Sequence, residues 1–208
     1  MVFFTTEFID FFKELAPNNH KDWFDENRKR YHEHVKQPFE VFVKELIDRV
    51  KEIDPEVQIP YNKAIFRINR DIRFSKNKEP YKINRSAIIS TGGTKDKSLP
   101  GLYFEINPEE VRVYSGLYQM DKDQLQRVRE EISENLEEFN TLISDKDFVE
   151  TFGEVRGEKN VRIPKEFQEV AKEQPLVANK QFYYFAKLPL EIIYTKTLTS
   201  INCIQTDG

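Results

Sequence analysis

The stretch LYFEINPEEVRVYSGLY, residues 102–118, lies near the middle of the chain, with helical patterns before and after it. Two runs, LYFEI (102–106) and VRVYSGLY (111–118), flank the turn-forming NPEE. Alternating side chains stand on opposite faces of an extended chain, so the two runs read as an antiparallel hairpin. INRSAIIST (83–91) reads as a further strand, and residues 64–74 alternate in the same way. The polar segment TGGTKDKSLPG lies between strands as a loop.

The pattern on either side is helical. Thr5 or Thr6 is placed to cap a first helix running to about Leu15, with Phe8, Phe11, Phe12 and Leu15 on one stripe. APNN ends it, and Asn18 or Asn19 starts a second helix to about Val35 that presents Trp23, Asn27 and Tyr31. Pro38 suits the first turn of a third, whose apolar face is Phe39, Phe42, Leu46, Val50 and Ile53. Beyond the hairpin, Asp121 and Gln124 form a capping box for a long helix carrying Leu125, Val128, Ile132, Leu136 and Phe139. A short helix near 145–152 and a turn after Pro164 follow. Then come a strand over Phe182–Leu188 and a last helix from Pro189 that includes Tyr194, Thr197, Leu198 and Ile201. Helices, then strands, then helices predict an α+β fold with a mainly antiparallel central sheet. No repeat or flexible linker interrupts it, so one domain over residues 1–208 is expected.

Formal net charge is −4, which argues against a general affinity for nucleic acid. Positive charge is nevertheless concentrated: residues 67–85 hold seven bases and two acids. A single cysteine, Cys203, excludes an internal disulfide framework and fits a reducing compartment. The N-terminal MVFFTTEFIDFFKEL lacks the basic start of a signal peptide, and no run is long enough to span a bilayer. A cytoplasmic location is expected.

The basic segment contains RINRDIRF, residues 67–74. Arginine stays protonated, so Arg67, Arg70 and Arg73 serve as clamps for carboxylate or phosphate, not as acids or bases. On a strand, Arg67, Asn69, Asp71 and Arg73 share one face, while Arg70 falls among Phe66, Ile68, Ile72 and Phe74. Arg70 thus requires a bulge or a buried partner. Arg67 and Arg73 stand about 20 Å apart on an extended strand, too far for one phosphate. The ligand is then extended, the strand is bent, or the arginines have different partners. A network of Arg–Asp and Arg–Glu pairs is the alternative that needs no ligand. FSKNKEPYK continues the segment as a cationic loop with Asn77, Lys78, Tyr81 and Lys82.

The run Arg67-x-x-Arg70-Asp71-x-Arg73-Phe74-x-x-x-Asn77-Lys78-x-x-Tyr81 resembles the signature of a mainly bacterial family, domain of unknown function 2461. NNHKDWFDENRKRY, GLYQMDKDQLQRVREEI and RIPKEF also resemble parts of it, so the likeness extends over nearly the whole chain. The family usually continues past the point where this sequence ends in NCIQTDG, so a shortened C-terminus is expected. The resemblance carries no activity. It implies that the signature forms the site, and it adds Arg129 to a ligand-binding set of Arg67, Arg70, Arg73, Asn77, Lys78, Tyr81 and Lys82.

Other candidates are few. His20 at a helix start and Asp71 among its arginines are the candidate proton-handling groups. His32 and His34 in HEH face apart on a helix, and neither HExxH nor paired cysteines occur, so no metal site is expected. No cofactor is indicated. The reading that follows is a protein that binds a phosphate- or carboxylate-bearing small molecule. The alternatives are an enzyme acting on a phosphorylated substrate, or an interaction module for an acidic partner or nucleic acid. Oligomeric state is left open.

Overall fold

A computed structural model describes residues 1–195. The chain is α+β: helices come first, then β1, β2 and β3, then further helices, then β4, and the sheet order is β1-β2-β3-β4. The strands are β1 (Arg85–Ile89), β2 (Leu102–Ile106), β3 (Glu110–Leu117) and β4 (Phe182–Pro189), and the sheet is antiparallel. The described chain gathers into two compact units, one built from Met1–Lys95, Tyr103–Val113 and the segment from Lys187, the other from Asp96–Leu102 and Tyr114–Ala186. No helix among the described residues is long and apolar enough to cross a membrane.

The first unit is organised by phenylalanine. Helix α1 (Thr6–Leu15) buries Phe8, Phe11, Phe12 and Leu15, the stripe that the spacing predicts. Short helices α2 (Lys21–Glu26) and α3 (Arg28–Tyr31) follow, then α4 (Gln37–Ile53), which buries Phe39 and Phe42. Phe11 stands 5.5 Å from both Trp23 and Tyr31, and Phe42 lies 5.3 Å from Phe104 of β2. Edge and tilted ring contacts of this kind add to the apolar burial.

The break expected between the second and third helices is absent. Residues 32–36 form a π turn instead, closed by the Gln37 N–H donating to the His32 carbonyl. Pro38 in the first turn of α4 explains it. Proline supplies no N–H and its ring crowds the carbonyl four residues back, and a wider turn accommodates this without ending the helix.

Residues 64–74 do not form the continuous strand that their alternation suggests. A one-turn helix, α5 (Tyr61–Ala64), precedes two isolated antiparallel bridges, Ile65↔Ala87 and Asn69↔Tyr81. Between these bridges one strand advances four residues and its partner six, so the partner carries a bulge within 82–86. The Arg70 N–H still reaches the Pro80 carbonyl at 2.8 Å, but Pro80 has no N–H to return and the ladder stops there.

In the second unit, Asp121 and Gln124 complete the capping box of α6 (Lys122–Glu134). The expected long helix breaks at Asn135 into α7 (Leu136–Ser144), and α8 (Lys146–Phe152) follows. The core of the second unit is Ile132, Phe167, Val177 and Phe182 with Leu125, Val128, Leu136 and Phe139 against it. Gly116 on β3 has φ +113°, and a Cβ there would collide with the Phe182 carbonyl oxygen. After β4 the expected last helix is a 3₁₀ turn over Leu190–Tyr194 that ends in extended Thr195. Thr197, Leu198, Ile201 and Cys203 lie outside the described residues.

Phe11 is fully buried among rings. Phe11→Ala is expected to cost about 3–5 kcal/mol, seen as a lower urea midpoint at unchanged slope. A loss well under 1 kcal/mol would mean that the aromatic cluster is loosely packed.

Candidate functional site

A cavity of about 550 Å³ opens in the first unit. One wall comes from the continuous helical run. Arg28, His32, Lys36 and Glu40 line the cavity at four-residue intervals. In a regular α-helix each such step rotates about 40° off the row, and the wider π turn at 32–36 reduces that drift. The opposite side comes from α5 (Tyr61, Asn62), from Ile65–Asn69, and from Tyr81 and Arg85. Phe24 of α2 and Tyr31 complete the lining.

Asn19 holds Tyr81 in place. Its amide donates to the Tyr81 carbonyl at 2.9 Å and its oxygen accepts the Tyr81 N–H at 3.0 Å. The Tyr81 ring stacks on Phe24 with centroids 4.0 Å apart. The bulge in 82–86 coincides with Arg85, which is 4% exposed at the start of β1. Its guanidinium lies 5.1 Å over the Phe39 ring, and its Nη1 donates to the Phe66 carbonyl at 3.0 Å. Its Nε is buried and has no partner, and no ion pair holds it among the described residues. Burial pushes its pKa down, opposed by Tyr31 and Glu40. Burial likewise pushes the Tyr31 phenol up.

The other cations differ in how they are engaged. Arg28 pairs with Asp25, and Lys36 stands 4.0 Å from Glu40. Arg67 is exposed and in no ion pair among the described residues. Arg28, Lys36, Arg67 and Arg85 thus line the cavity with one carboxylate, Glu40, while Asp25 outside the lining engages Arg28.

Of the residues expected from the sequence to bind ligand, Arg67 and Tyr81 line the cavity. Arg70, Arg73, Asn77 and Lys78 belong to an arm over residues 70–80 that is tied to itself. Arg70 pairs with Glu79 at 3.3 Å, and Arg73 grips both Asp71 oxygens at 2.9 and 2.7 Å. The Asn77 amide donates to Glu79, and Lys78 donates to the Ile72 carbonyl. Phe74 on this arm is 95% exposed. Lys82 sits 5.3 Å over the Phe66 ring. Arg129 is in the second unit, buried, and donates to the Val177 and Asn179 carbonyls at 2.9 and 3.3 Å. His20 caps α2, its Nδ1 accepting the Trp23 N–H. Among the described residues no group of three or more His, Cys, Asp or Glu is arranged to hold a metal.

Arg85, Arg28, His32, Lys36 and Glu40 escaped sequence reasoning. The signal for the helical four was their spacing of four. For Arg85 it was a lone charge inside the apolar strand NRSAII, since a charge in such a run is either paired or functional.

A family model described as a conserved hypothetical protein (DUF2461) matches residues 7–203. No curated protein and no solved structure matches.

Two outcomes follow from the arm and from Arg129. The Asp71 carboxyl is held down at about 2 by the Arg73 side chain and then its backbone N–H. What the pair contributes is present above the ordinary aspartate range, about 4, and is lost as pH falls through the depressed value. Carbon-detected NMR should show Asp71 titrating near pH 2 in the wild type and near 4 in Arg73→Ala; titration near 4 in both would mean the pair does not form in solution. Arg129→Leu strands two carbonyls and should cost about 1–3 kcal/mol in chemical denaturation. A neutral result would show that Arg129 is not part of the packing of the second unit.

Proposed function

The chain belongs to this family of conserved hypothetical proteins, and we propose that its first-unit cavity binds a small organic anion bearing phosphate or carboxylate. One observation carries the reading: a guanidinium only 4% exposed, that of Arg85, lines an open cavity with no ion pair among the described residues. Burying an unpaired charge is costly, and such a group persists where a ligand supplies the missing partner. A planar fork suits carboxylate or phosphate oxygens. Arg67, Arg28 and Lys36 supply further charge around it, and the Tyr31 and Tyr81 side chains line the same space. The cavity size falls within the roughly 300–1,000 Å³ of small-molecule sites.

A second reading rests on the same wall. His32 and Glu40 are the side chains facing the cavity that are suited to move protons, so chemistry on a phosphorylated ligand is compatible with the lining. Release of inorganic phosphate from a bound ester by the wild type, and not by His32→Gln, would identify an enzyme. Binding without turnover would leave a binding protein.

The test is a thermal-shift series with phosphate, sugar phosphates, nucleotides and organic acids. At a hundredfold excess over Kd, a ligand adds about 2.7 kcal/mol and raises Tm by several degrees. Arg85→Met should abolish that rise; its unliganded Tm and circular dichroism check that it is folded, because the change removes a buried charge but also strands the Phe66 carbonyl. Arg73→Ala should keep the response. If no anion shifts the wild type, or if Arg85→Met responds as fully as the wild type, the reading is overturned.

A further inference from the structure

The depth profile of the cavity specifies what else the anion carries. The floor is Phe24, Tyr31, Tyr81 and Arg85, each no more than 6% exposed. The rim is built from half-buried Tyr61 and Phe66 and exposed Asn62, Arg67 and Asn69. The most deeply placed charge is Arg85, so an anionic group is held at the bottom. A lone phosphate or short carboxylate there would leave most of the 550 Å³ to water.

The rim has its own chemistry. Lys44 Nζ lies 4.2 Å from the Tyr61 ring centroid, and Lys82 Nζ lies 5.3 Å from that of Phe66. Neither lysine lines the cavity. Each ring thus has a cation beside it, and Tyr61 and Phe66 themselves line the cavity. Aromatic rings at the mouth offer stacking surfaces to a planar partner. The exposed amides of Asn62 and Asn69 stand on the same rim, and an amide offers both donor and acceptor to the edge of a heterocycle.

Resting on the anion-binding reading, we infer that the ligand is a phosphomonoester carrying a planar heterocycle. Its phosphate sits on Arg85 and its ring lies against Tyr61 and Phe66 at the mouth. Nucleoside monophosphates are the probes of that class. The excess of cations over the single Glu40 suits the second charge of a phosphomonoester better than a monocarboxylate.

Isothermal titration of the full chain separates the two levels. Adenosine monophosphate, uridine monophosphate, ribose phosphate, inorganic phosphate and adenosine are each titrated against wild type, Tyr61→Leu, Phe66→Leu and Arg85→Met. A stacked base adds roughly tenfold or more in affinity, so the nucleotides should bind the wild type at least about that much tighter than ribose phosphate. Tyr61→Leu or Phe66→Leu should reduce the nucleotides toward the ribose phosphate value and leave ribose phosphate unchanged. Leucine keeps apolar bulk at the rim, and circular dichroism and unliganded Tm check that each variant is folded. Equal affinity for nucleotides and ribose phosphate in the wild type overturns the ring inference while the anion reading stands. Binding by neither class overturns both.

Discussion

A guanidinium cannot be left dry without being held, and Arg85 sets the terms for what surrounds it. The Phe39 ring lies beneath it, the Phe66 carbonyl accepts one N–H, and the Glu40 carboxylate adds a favourable field. Phe39 and Glu40 belong to α4 and Phe66 to the segment before the arm, so that helix and that segment must be in register for the arginine to sit there. The bulge within 82–86 completes the arrangement, because the straight ladder between the two bridges would carry fewer residues past Arg67 and re-aim the partner strand. The cavity is therefore a consequence of backbone irregularities at two places, the π turn and the bulge, and each sits beside residues that line it.

The signature arginines play a different part. Arg70 and Arg73 engage Glu79 and Asp71 within the arm, and Asn77 and Lys78 close its other bonds. The side-chain bonds of residues 71–79 stay within the arm, so Arg70 and Arg73 are paired internally and the arm fixes its own shape. A preorganised arm fixes its own two ends. Those ends are Asn69 and Tyr81, which form a bridge and line the cavity. In this sense the signature supports the cavity even where its charges do not face it.

The fold class was legible because hydrophobic period is a strong signal: the hairpin of 102–118, the stripe on α1 and the capping box at Asp121 all appear where the spacing puts them. What was not legible depended on tertiary partners. The alternation of 64–74 is genuine, but the partner strand determines whether a ladder forms, and Pro80 with the nearby bulge prevents it. Pro38 read as a helix start, yet a π turn absorbed it. The three arginines drew attention because they are clustered in sequence, whereas the cavity gathers Arg28, Lys36, Arg67 and Arg85 from separate elements. Local sequence reports the arm, and only folding assembles the cavity.

Charge distribution gives this division a further meaning. With a formal net charge of −4, the chain as a whole repels anions at long range. Exposed ion pairs such as those of the arm are screened by solvent and salt and add little to that field. A cation in a low-dielectric recess keeps far more of its potential, because there is less water to screen it. Attraction for an anion is thus concentrated where Arg85 is buried and Arg67 stands at the rim. A flexible surface patch of the same charge would attract many polyanions. A recessed guanidinium is reached only by an anion small enough to enter the recess.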